Sequence, residues 1–172
     1  MVNDKIELIS CKFGDKDFEL IRKIRYDVFV IEQQCPEEEE WDEYDESSVH
    51  LLLKVNDQPV GASRWRKISY LKYGGKIDTD AVKMERFAIY KDFRGKGYGS
   101  ELVKQALKRV FQDTQELSIP LFLINAQQYV EKFYQSLGFE TDQSIPIFYE
   151  ANIPHVRMEI PTLKIKSLYF KE

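Results

Sequence analysis

Apolar residues recur at helical spacing in two segments of the chain. In the first segment, Asp17–Ile31, the apolar positions are Leu20, Ile21, Ile24, Val28 and Phe29. In the second, which starts at Ser100 and should end before Pro120, they are Leu102, Val103, Ala106, Leu107, Val110 and Phe111. One face of each segment is therefore apolar, and the pattern predicts two amphipathic helices, the second packed on a sheet.

Shorter apolar runs predict strands. Two of them, Val49–Val55 and Val60–Ile68, flank the turn residues 56–59, and this arrangement indicates an antiparallel hairpin. Further strands are expected at Met84–Tyr90, Leu121–Ile124 and Val156–Ile160, the last of them followed by a polar tail.

A third helix is expected over Ala126–Leu137, because Gly138 fits the left-handed position that ends many helices. The succession of elements favours an α/β fold with a mixed sheet flanked by helices. With 172 residues, 43% of them hydrophobic and 13% aromatic, the chain can bury one sizeable core and is short for two. We therefore expect a single domain over residues 1–172.

The charge pattern argues against several classes of partner. The formal net charge is -4, and lysines and arginines are scattered among the acids, so we expect no nucleic-acid partner. The N-terminal segment carries charges where a signal peptide needs an apolar run, and no segment approaches the roughly 20 apolar residues of a membrane span. These features predict a soluble, cytoplasmic protein without a membrane partner.

The two cysteines, Cys11 and Cys35, are too few for a disulfide scaffold and lack the CxxC-type spacing of metal sites. Reduced structural thiols and no bound metal are therefore expected. The acidic residues that follow Cys35 should raise its pKa and weaken it as a nucleophile.

The segment Glu37–Glu46 is acidic at eight of its ten positions, and Pro36 should end the first helix just before it. The leading interpretation is a mobile or solvated loop. A second interpretation gives the segment a role, because its negative potential would attract a cationic amine. The segment lacks the spaced Asp/Asn and glycine of a calcium loop, so no metal is assigned to it.

Residues Arg94–Gly99 (RGKGYG) place three glycines between an apolar strand and an amphipathic helix. Glycines allow positive φ and close backbone approach, and a helix N-terminus presents N–H groups to an anion, so this loop could hold a pyrophosphate. The Walker spacing GxxxxGK[ST] is absent. On these six residues alone, a tight connection without a ligand is an equal alternative.

The same loop resembles the [QR]xxGx[GA] coenzyme A motif of the GNAT N-acyltransferases. Residues 84–89 (MERFAI) stand where that family has its central strand, and residues 125–139 (NAQQYVEKFYQSLGF) are similar to its strand-exit asparagine followed by FYxxxGF. Residues 25–36 and 153–158 (IPHVRM) resemble the ElaA-like subgroup. The resemblance covers nearly the whole chain and implies the GNAT fold, a central, twisted, mostly antiparallel sheet flanked by helices.

The resemblance also implies acetyl-coenzyme A as co-substrate, held in the cleft between the central strand and the strand that starts at Leu121. Backbone groups of residues 87–89 would hold the pantetheine arm, and one of their N–H groups would polarise the thioester carbonyl. The loop would hold the pyrophosphate by its backbone, with Lys96 adding surface charge. The cofactor-binding residues implied are Phe87, Ala88, Ile89, Arg94, Gly95, Lys96, Gly97, Tyr98, Gly99 and Asn125.

Two residues are candidates for catalysis through the same resemblance. Tyr134 matches the family tyrosine that protonates the departing sulfur, a role suited to a phenol with an ordinary pKa near 10. The alternative for Tyr134 is packing among neighbouring aromatic residues. Glu85 could relay a proton from the ammonium, or it could simply pair with Lys83 or Arg86.

His155 is assigned to the acceptor site as a base that titrates near neutrality, although single histidines in strands are more often structural. Its acceptor would be a small amine or a peptide, such as a polyamine, an aminoglycoside-like amine or a lysine side chain. Exposed aromatic strands near the C-terminus could also support a homodimer.

Two functions fit these residues. In the first, the protein is an N-acetyltransferase in which a primary amine attacks acetyl-coenzyme A directly in a ternary complex, so that neither cysteine is needed. In the second, it is a non-catalytic coenzyme A-binding regulatory module. The presence of both the loop and Tyr134 favours the first.

Overall fold

The computed structural model describes residues 3–171. Its strands are β1 Ile6–Cys11, β2 Val49–Val55, β3 Gln58–Ser69, β4 Asp80–Ile89, β5 Leu121–Gln127, β6 Glu140–Thr141, β7 Phe148–Glu150 and β8 Ile153–Pro161. Its α-helices are α1 Phe18–Arg25, α2 Glu37–Glu40, α3 Tyr98–Asp113, α4 Glu131–Ser136 and α5 Thr162–Tyr169. These elements confirm the expected α/β fold, in which helices flank a mixed multi-strand sheet.

The chain divides into two compact units. The first consists of Met1–Trp65 with Arg86–Ala106, and the second consists of Arg66–Glu85 with Leu107–Glu172. Within residues 3–171, no helix has the length and apolar character needed to cross a bilayer. The single domain expected over residues 1–172 stays a prediction.

In the first unit, β1, β2 and β3 are antiparallel neighbours. Asn56 and Asp57 connect β2 to β3, and their φ angles of +50° and +65° fit the two-residue turns that match the twist of a hairpin. The predicted hairpin is confirmed. Strand β3 begins at Gln58, two residues earlier than expected, because the turn needs only two residues.

The two faces of this hairpin pack against different helices. Leu52 and Ala62, which are paired across β2 and β3, share an apolar cluster with Ile24 of α1. The next residue along β2, Leu53, points to the opposite face and shares a cluster with Leu102 of α3. Burial on both faces explains why β2 carries the three consecutive leucines Leu51–Leu53 rather than an alternating pattern.

In the second unit, β4 runs parallel to β5, and their pairing extends from Val82–Phe122 to Met84–Ile124. Strand β8 is antiparallel to β5 and also pairs with β6 and β7. An apolar cluster of Ile68, Tyr70, Ala81 and Leu123 is buried in this unit. The sheet therefore mixes one parallel pair with antiparallel pairs.

Helix α4 ends as the sequence predicts. Gly138 has a φ of +104°, the N–H of Gly138 donates to the carbonyl of Gln135, and the N–H of Phe139 donates to the carbonyl of Tyr134. These bonds are the two that define a Schellman stop. A Cβ at Gly138 would lie 2.6 Å from Cδ1 of the exposed Leu168, which would have to move, but the positive φ is the main reason for glycine here.

Several element bounds differ from the predictions. Helix α4 begins at Glu131 and not at Ala126, because residues 125–127 continue β5 and pair with β8. The prediction of a polar tail after β8 is wrong, because this segment forms helix α5, whose Ile165 is fully buried. The first helix changes from α to π geometry at Tyr26 and continues to Glu32. Strand β1 had no counterpart in the predictions.

Candidate active site

The glycine-rich loop has the backbone conformation that its sequence predicts. Gly95 and Gly97 have φ angles of +74° and +85°, and a Cβ built on either would meet no atom within 4 Å. The carbonyl of Gly97 accepts from the N–H of Glu101, so helix α3 starts immediately after Gly97. The N–H groups of the first helical turn have no partner inside the helix. The loop thus presents left-handed backbone, open space and helix-terminal N–H groups together.

Arg94 holds this loop to the end of β4. Its Nε donates to the backbone carbonyl of Ile89 at 2.9 Å, and its guanidinium pairs with both carboxylate oxygens of Glu32, Nη2 lying 3.1 Å from Oε2. The hydrogen bond from Arg94 holds the pKa of Glu32 below its usual range. The side chain of Arg94 therefore braces the loop, and an anion would be bound by the backbone.

Two other side chains of the loop lie at its surface. Nζ of Lys96 lies 5.6 Å from the centre of the Phe93 ring, and the side chain is exposed. The hydroxyl of Tyr98 donates to Asp4 at 2.6 Å, which lowers the pKa of that carboxyl. Lys96 is thus the loop cation available at the surface, as the sequence suggested.

The end of β4 packs closely against the hairpin. The N–H of Tyr90 donates to the carbonyl of Val60 at 3.0 Å. A Cβ on Gly61 would lie 2.5 Å from Cδ1 of Ile89 and 2.9 Å from the carbonyl oxygen of Ala88. Only glycine allows this approach, so Gly61 fixes where the expected pantetheine residues lie in the first unit.

Glu85, in the second unit, is held by two cations. Arg66 donates to its two carboxylate oxygens at 3.2 Å each, and Nζ of Lys83 lies 2.8 Å from Oε1. Arg66 also donates to the hydroxyl of Tyr73 at 2.8 Å. The predicted pair with Lys83 is confirmed, whereas Arg86 directs its side chain to the acidic segment. Glu85 is 9% exposed, so this is a buried ionised cluster and not a surface pair.

Tyr134 is buried in α4, with 8% of its surface exposed. Its ring makes edge contacts with Phe133 and Phe139, at centroid distances of 5.1 and 5.8 Å. Burial raises the pKa of Tyr134 far above that of a free phenol, with a smaller contribution from Tyr129. These ring contacts fix the phenol in position, and burial keeps it in the protonated form that a proton donor needs.

Asn125 and His155 meet at one carboxylate of the second unit. The amide nitrogen of Asn125 donates to Oε1 of Glu150 at 2.9 Å, and Nε2 of His155 lies 3.8 Å from Oε2. Nδ1 of His155 lies 2.7 Å from the carbonyl of Ile153, so this nitrogen carries the proton and Nε2 has the lone pair in the neutral ring. Arg157 donates to Asn125 Oδ1 at 2.9 Å. We name Asn125, Glu150, His155 and Arg157 the amide–histidine cluster.

The acidic segment Glu37–Glu46 has two parts: Glu40, Asp42 and Asp45 pair with arginines, whereas its other five acids are exposed, as the solvated-loop interpretation expected. Glu40 and Asp45 are buried and pair with Arg25 at 2.5 and 2.6 Å. Arg64 donates to both oxygens of Asp42, at 2.7 and 2.8 Å, and also reaches Asp45 at 2.9 Å. Arg25 and Arg64 are 0% and 1% exposed. These buried pairs fix the segment to α1 and β3.

The pKa directions in this segment follow from burial and from the arginines. Burial raises the pKa of Glu40 in spite of Arg25 and Arg86. For Asp42 and Asp45, burial also acts upward, but hydrogen bonds to Arg64 and Arg25 outweigh it and lower the pKa. The pKa of Cys35 is raised by burial first and by Glu40 and its neighbours second, which confirms the predicted direction.

The sequence reasoning missed the arginines that complete this network and the brace formed by Glu32. A signal was present, because Arg25 lies on the apolar face of the first helix and Arg64 lies inside the strand predicted over Val60–Ile68. Charged residues are rarely buried unless they are paired. Each of these positions therefore implied an acidic partner elsewhere in the chain.

The chain belongs to the GNAT acetyltransferases. The family model described as an acetyltransferase (GNAT) domain matches residues 19–162. The protein is therefore an acyltransferase, as the resemblance of its loop and of residues 125–139 implied.

The chain is also similar to one protein sequence and two solved structures. It is 36% identical over 135 residues to the uncharacterized N-acetyltransferase YjcF of Bacillus subtilis, over 78% of this chain and 86% of that protein. The crystal structure of Escherichia coli ElaA matches with a TM-score of 0.72 and 25% identity, over 91% of this chain and 99% of that one. The crystal structure of AtaTR bound with acetyl-coenzyme A matches with a TM-score of 0.63 and 21% identity, over 98% and 99%, and shows the fold alone.

Proposed function

We propose that this protein transfers an acetyl group from acetyl-coenzyme A to a primary amine, by direct attack in a ternary complex. The observation that carries the proposal is the loop at residues 94–99, where two left-handed glycines with open space beside them precede the N-terminus of a 16-residue helix. Such a terminus is suited to phosphate. Membership of the acetyltransferase family and the acetyl-coenzyme A in the AtaTR structure support the choice of donor.

The cofactor residues divide between three kinds of contact. The backbone of residues 94–99 binds the pyrophosphate, with Lys96 adding charge. The backbone of residues 87–89 lies along the pantetheine arm, and one N–H polarises the thioester carbonyl. Asn125 is the remaining cofactor residue, and no metal is assigned. Within residues 3–171, no three side chains of His, Cys, Asp and Glu are grouped to hold an ion.

The reaction needs two proton transfers. The amine nitrogen attacks the thioester carbon, the C–N bond forms, and the electron pair of the C–S bond leaves with sulfur. Glu85, whose carboxylate lies 3.2 Å from Arg66 and 2.8 Å from Lys83, accepts the proton lost by the amine. Tyr134 gives its phenolic proton to the departing thiolate. His155 contacts the acceptor amine.

The acceptor is expected to be a small amine or a peptide. Glu37, Glu38 and Glu39 stay exposed although the buried acids of the segment are paired. The exposed carboxylates therefore still give the segment a negative potential that attracts a cationic amine. A cytoplasmic location, a homodimer and one domain over residues 1–172 stay predictions.

Thiol release from acetyl-coenzyme A tests the proposal across polyamines, aminoglycosides, amino acids and lysine peptides. Tyr134→Phe keeps the ring contacts and removes the hydroxyl, so kcat should fall about 100-fold or more, in the range of one lost acid catalyst. Tyr129→Phe is the matched control, because Tyr129 lies five residues earlier and is 75% exposed. Equal rates in both variants would remove Tyr134 from the chemistry.

Glu85→Gln keeps the shape of the side chain and removes the proton acceptor. We expect kcat to fall about 100-fold at neutral pH. Asp80→Asn, in the same strand but in an exposed pair with Lys67, is the control and should leave kcat unchanged. A normal rate in Glu85→Gln would assign the base to another residue.

Calorimetry with coenzyme A separates transfer from simple binding. Gly97→Ala and Gly14→Ala meet the same backbone strain, since both glycines have φ near +85° and no atom within 4 Å of a Cβ. We expect only Gly97→Ala to weaken binding, by about tenfold. Tight binding without acylation of any amine would favour the regulatory module, and no binding at all would contradict both functions.

A further inference from the structure

Arg86 lies inside strand β4 with a φ of +59°. This is the left-handed region, which residues with a Cβ avoid and which lies outside the torsions of a regular strand. Such outliers persist only where the surroundings over-determine them, and they concentrate at functional sites. Arg86 is followed directly by residues 87–89, the proposed pantetheine strand.

The side chain of Arg86 is anchored to the acidic segment within the first unit. Its Nε lies 3.1 Å from Oε2 of Glu40, and its Nη2 lies 3.2 Å from Oδ2 of Asp42. The side chain is 22% exposed, so these pairs are only partly screened by water. Two carboxylates from one segment therefore hold the guanidinium.

These carboxylates are themselves immobilised. Glu40 is held by Arg25, and Asp42 receives two hydrogen bonds from Arg64, both arginines being almost completely buried. We name Arg25, Glu40, Asp42, Asp45, Arg64 and Arg86 the arginine–carboxylate network. Three cations and three anions balance within it, so it can be buried as a neutral unit.

The conformation of Arg86 decides where the next residues point. Ala88 packs in the apolar cluster of α1, whereas Phe87 and Ile89 pack in the cluster of α3. An ordinary strand torsion at Arg86 would turn the following peptide groups and could not keep all three residues in these clusters. The torsion and the packing of residues 87–89 are thus coupled.

We propose that the arginine–carboxylate network is a positioning device for the acyl donor. The ion pairs of Arg86 with the acidic segment stabilise its left-handed torsion. This torsion orients the backbone of residues 87–89 toward the thioester. The role of residues 87–89 rests on the proposed function. Arg86, Glu40 and Asp42 are positioning residues and do not contact the reacting atoms.

Substitution of Arg86 by alanine and by glycine separates torsion from charge. Both variants lose the guanidinium, but glycine adopts positive φ without strain and alanine does not. We expect Arg86→Ala to weaken acetyl-coenzyme A binding and to lower kcat, each on the order of tenfold, and Arg86→Gly to recover most of both. The KM for the amine should stay unchanged in both. The control, Arg109→Ala, removes an arginine whose pair with Asp113 is exposed and should leave every parameter at the wild-type value.

Amide 15N–1H spectra of residues 87–89 report the geometry without any activity. These three resonances should move in Arg86→Ala and stay near wild type in Arg86→Gly. Because the spectra need neither donor nor acceptor, an inactive wild type would overturn the proposed function while the spectra still tested the torsion. Identical spectra and affinities for the two variants would overturn the positioning device.

A double-mutant cycle tests whether the acidic segment acts through Arg86. Asp42→Asn should weaken acetyl-coenzyme A binding in the wild-type background and have little further effect in the Arg86→Ala background, because the contact is already lost. Additive losses in the double variant would show that Asp42 acts by another route and would contradict the proposal.

Discussion

Two polar regions of this molecule are built from the same kinds of side chain and differ in access to water. The arginine–carboxylate network lies in the first unit, and its two central arginines are at most 1% exposed. The amide–histidine cluster lies in the second unit, and its Glu150 carboxylate is 45% exposed. We call the first region closed because its central arginines are buried, and the second open because its Glu150 carboxylate is exposed beside the buried His155 and Arg157.

This difference separates structural from chemical roles. The buried arginines of the closed network cannot contact a substrate. Their ion pairs instead stabilise the fold and define the backbone conformation at Arg86. In the open cluster, Nε2 of His155 lies 3.8 Å from Oε2 of Glu150, so this pair contributes little to stability. Both groups can therefore bind a ligand instead of each other. Substitutions in the two regions should therefore change different measurements.

Arg25→Met should give the largest effect. It leaves Glu40 and Asp45 buried without their main cation, so the free energy of unfolding should fall by about 3–5 kcal/mol. Urea denaturation followed by circular dichroism measures this loss. Lys23→Met, in the same helix but in an exposed pair with Asp27, should cost less than about 0.5 kcal/mol. Equal losses would remove the distinction between closed and open regions.

His155→Gln should have a smaller effect of a different kind. The KM for the amine should rise about tenfold, from the loss of one contact to the acceptor. The urea midpoint should stay close to that of the wild type, since glutamine keeps a donor for the Ile153 carbonyl that lies 2.7 Å from Nδ1 of His155. A large loss of stability with a normal KM would assign His155 to the structure and not to the acceptor.

The smallest expected effect is the pH dependence that His50 confers. His50 is fully buried, its Nε2 lies 2.8 Å from the carbonyl of Asp45, and burial lowers its pKa. Because the pKa of His50 is lower in the folded protein, the unfolded chain binds the proton more readily. The contribution of neutral His50 to stability is therefore present above pH 6.5 and is lost as the pH falls.

When the pH falls from 7 to 5.5, the free energy of unfolding of the wild type should therefore decrease by up to about 1 kcal/mol more than that of His50→Gln. Urea denaturation of both proteins at the two pH values isolates the contribution of His50 from that of the carboxylates. Parallel losses in the two proteins would show that His50 does not carry this dependence.

Local patterns predicted the elements with short-range causes. The hairpin followed from Asn56 and Asp57, the end of α4 followed from Gly138, and the left-handed loop followed from Gly95 and Gly97. Each of these features needs only neighbouring residues. The alternation of apolar positions also indicated which helices pack on the sheet.

The sequence did not show which residues distant along the chain pair with each other in the fold. Nothing in the sequence of the acidic segment marks Glu40, Asp42 and Asp45 as the three acids that pair with Arg25, Arg64 and Arg86, because these arginines come from three separate elements. The boundary of α4 was missed for a similar reason, since β8 extends β5 across a sequence with helical spacing. The pairing of Arg94 with Glu32 is likewise a tertiary contact.

The measurement that tests the central claim most directly is mass spectrometry of the protein and of an amine after incubation with acetyl-coenzyme A. Direct attack predicts an amine that carries the acetyl group and a protein whose mass is unchanged, including in the absence of amine. An acetylated protein intermediate on Cys11 or Cys35 that then passes its acetyl group to the amine would contradict the ternary-complex mechanism. No acetylated amine from any member of the panel would contradict acetyl transfer to amines altogether.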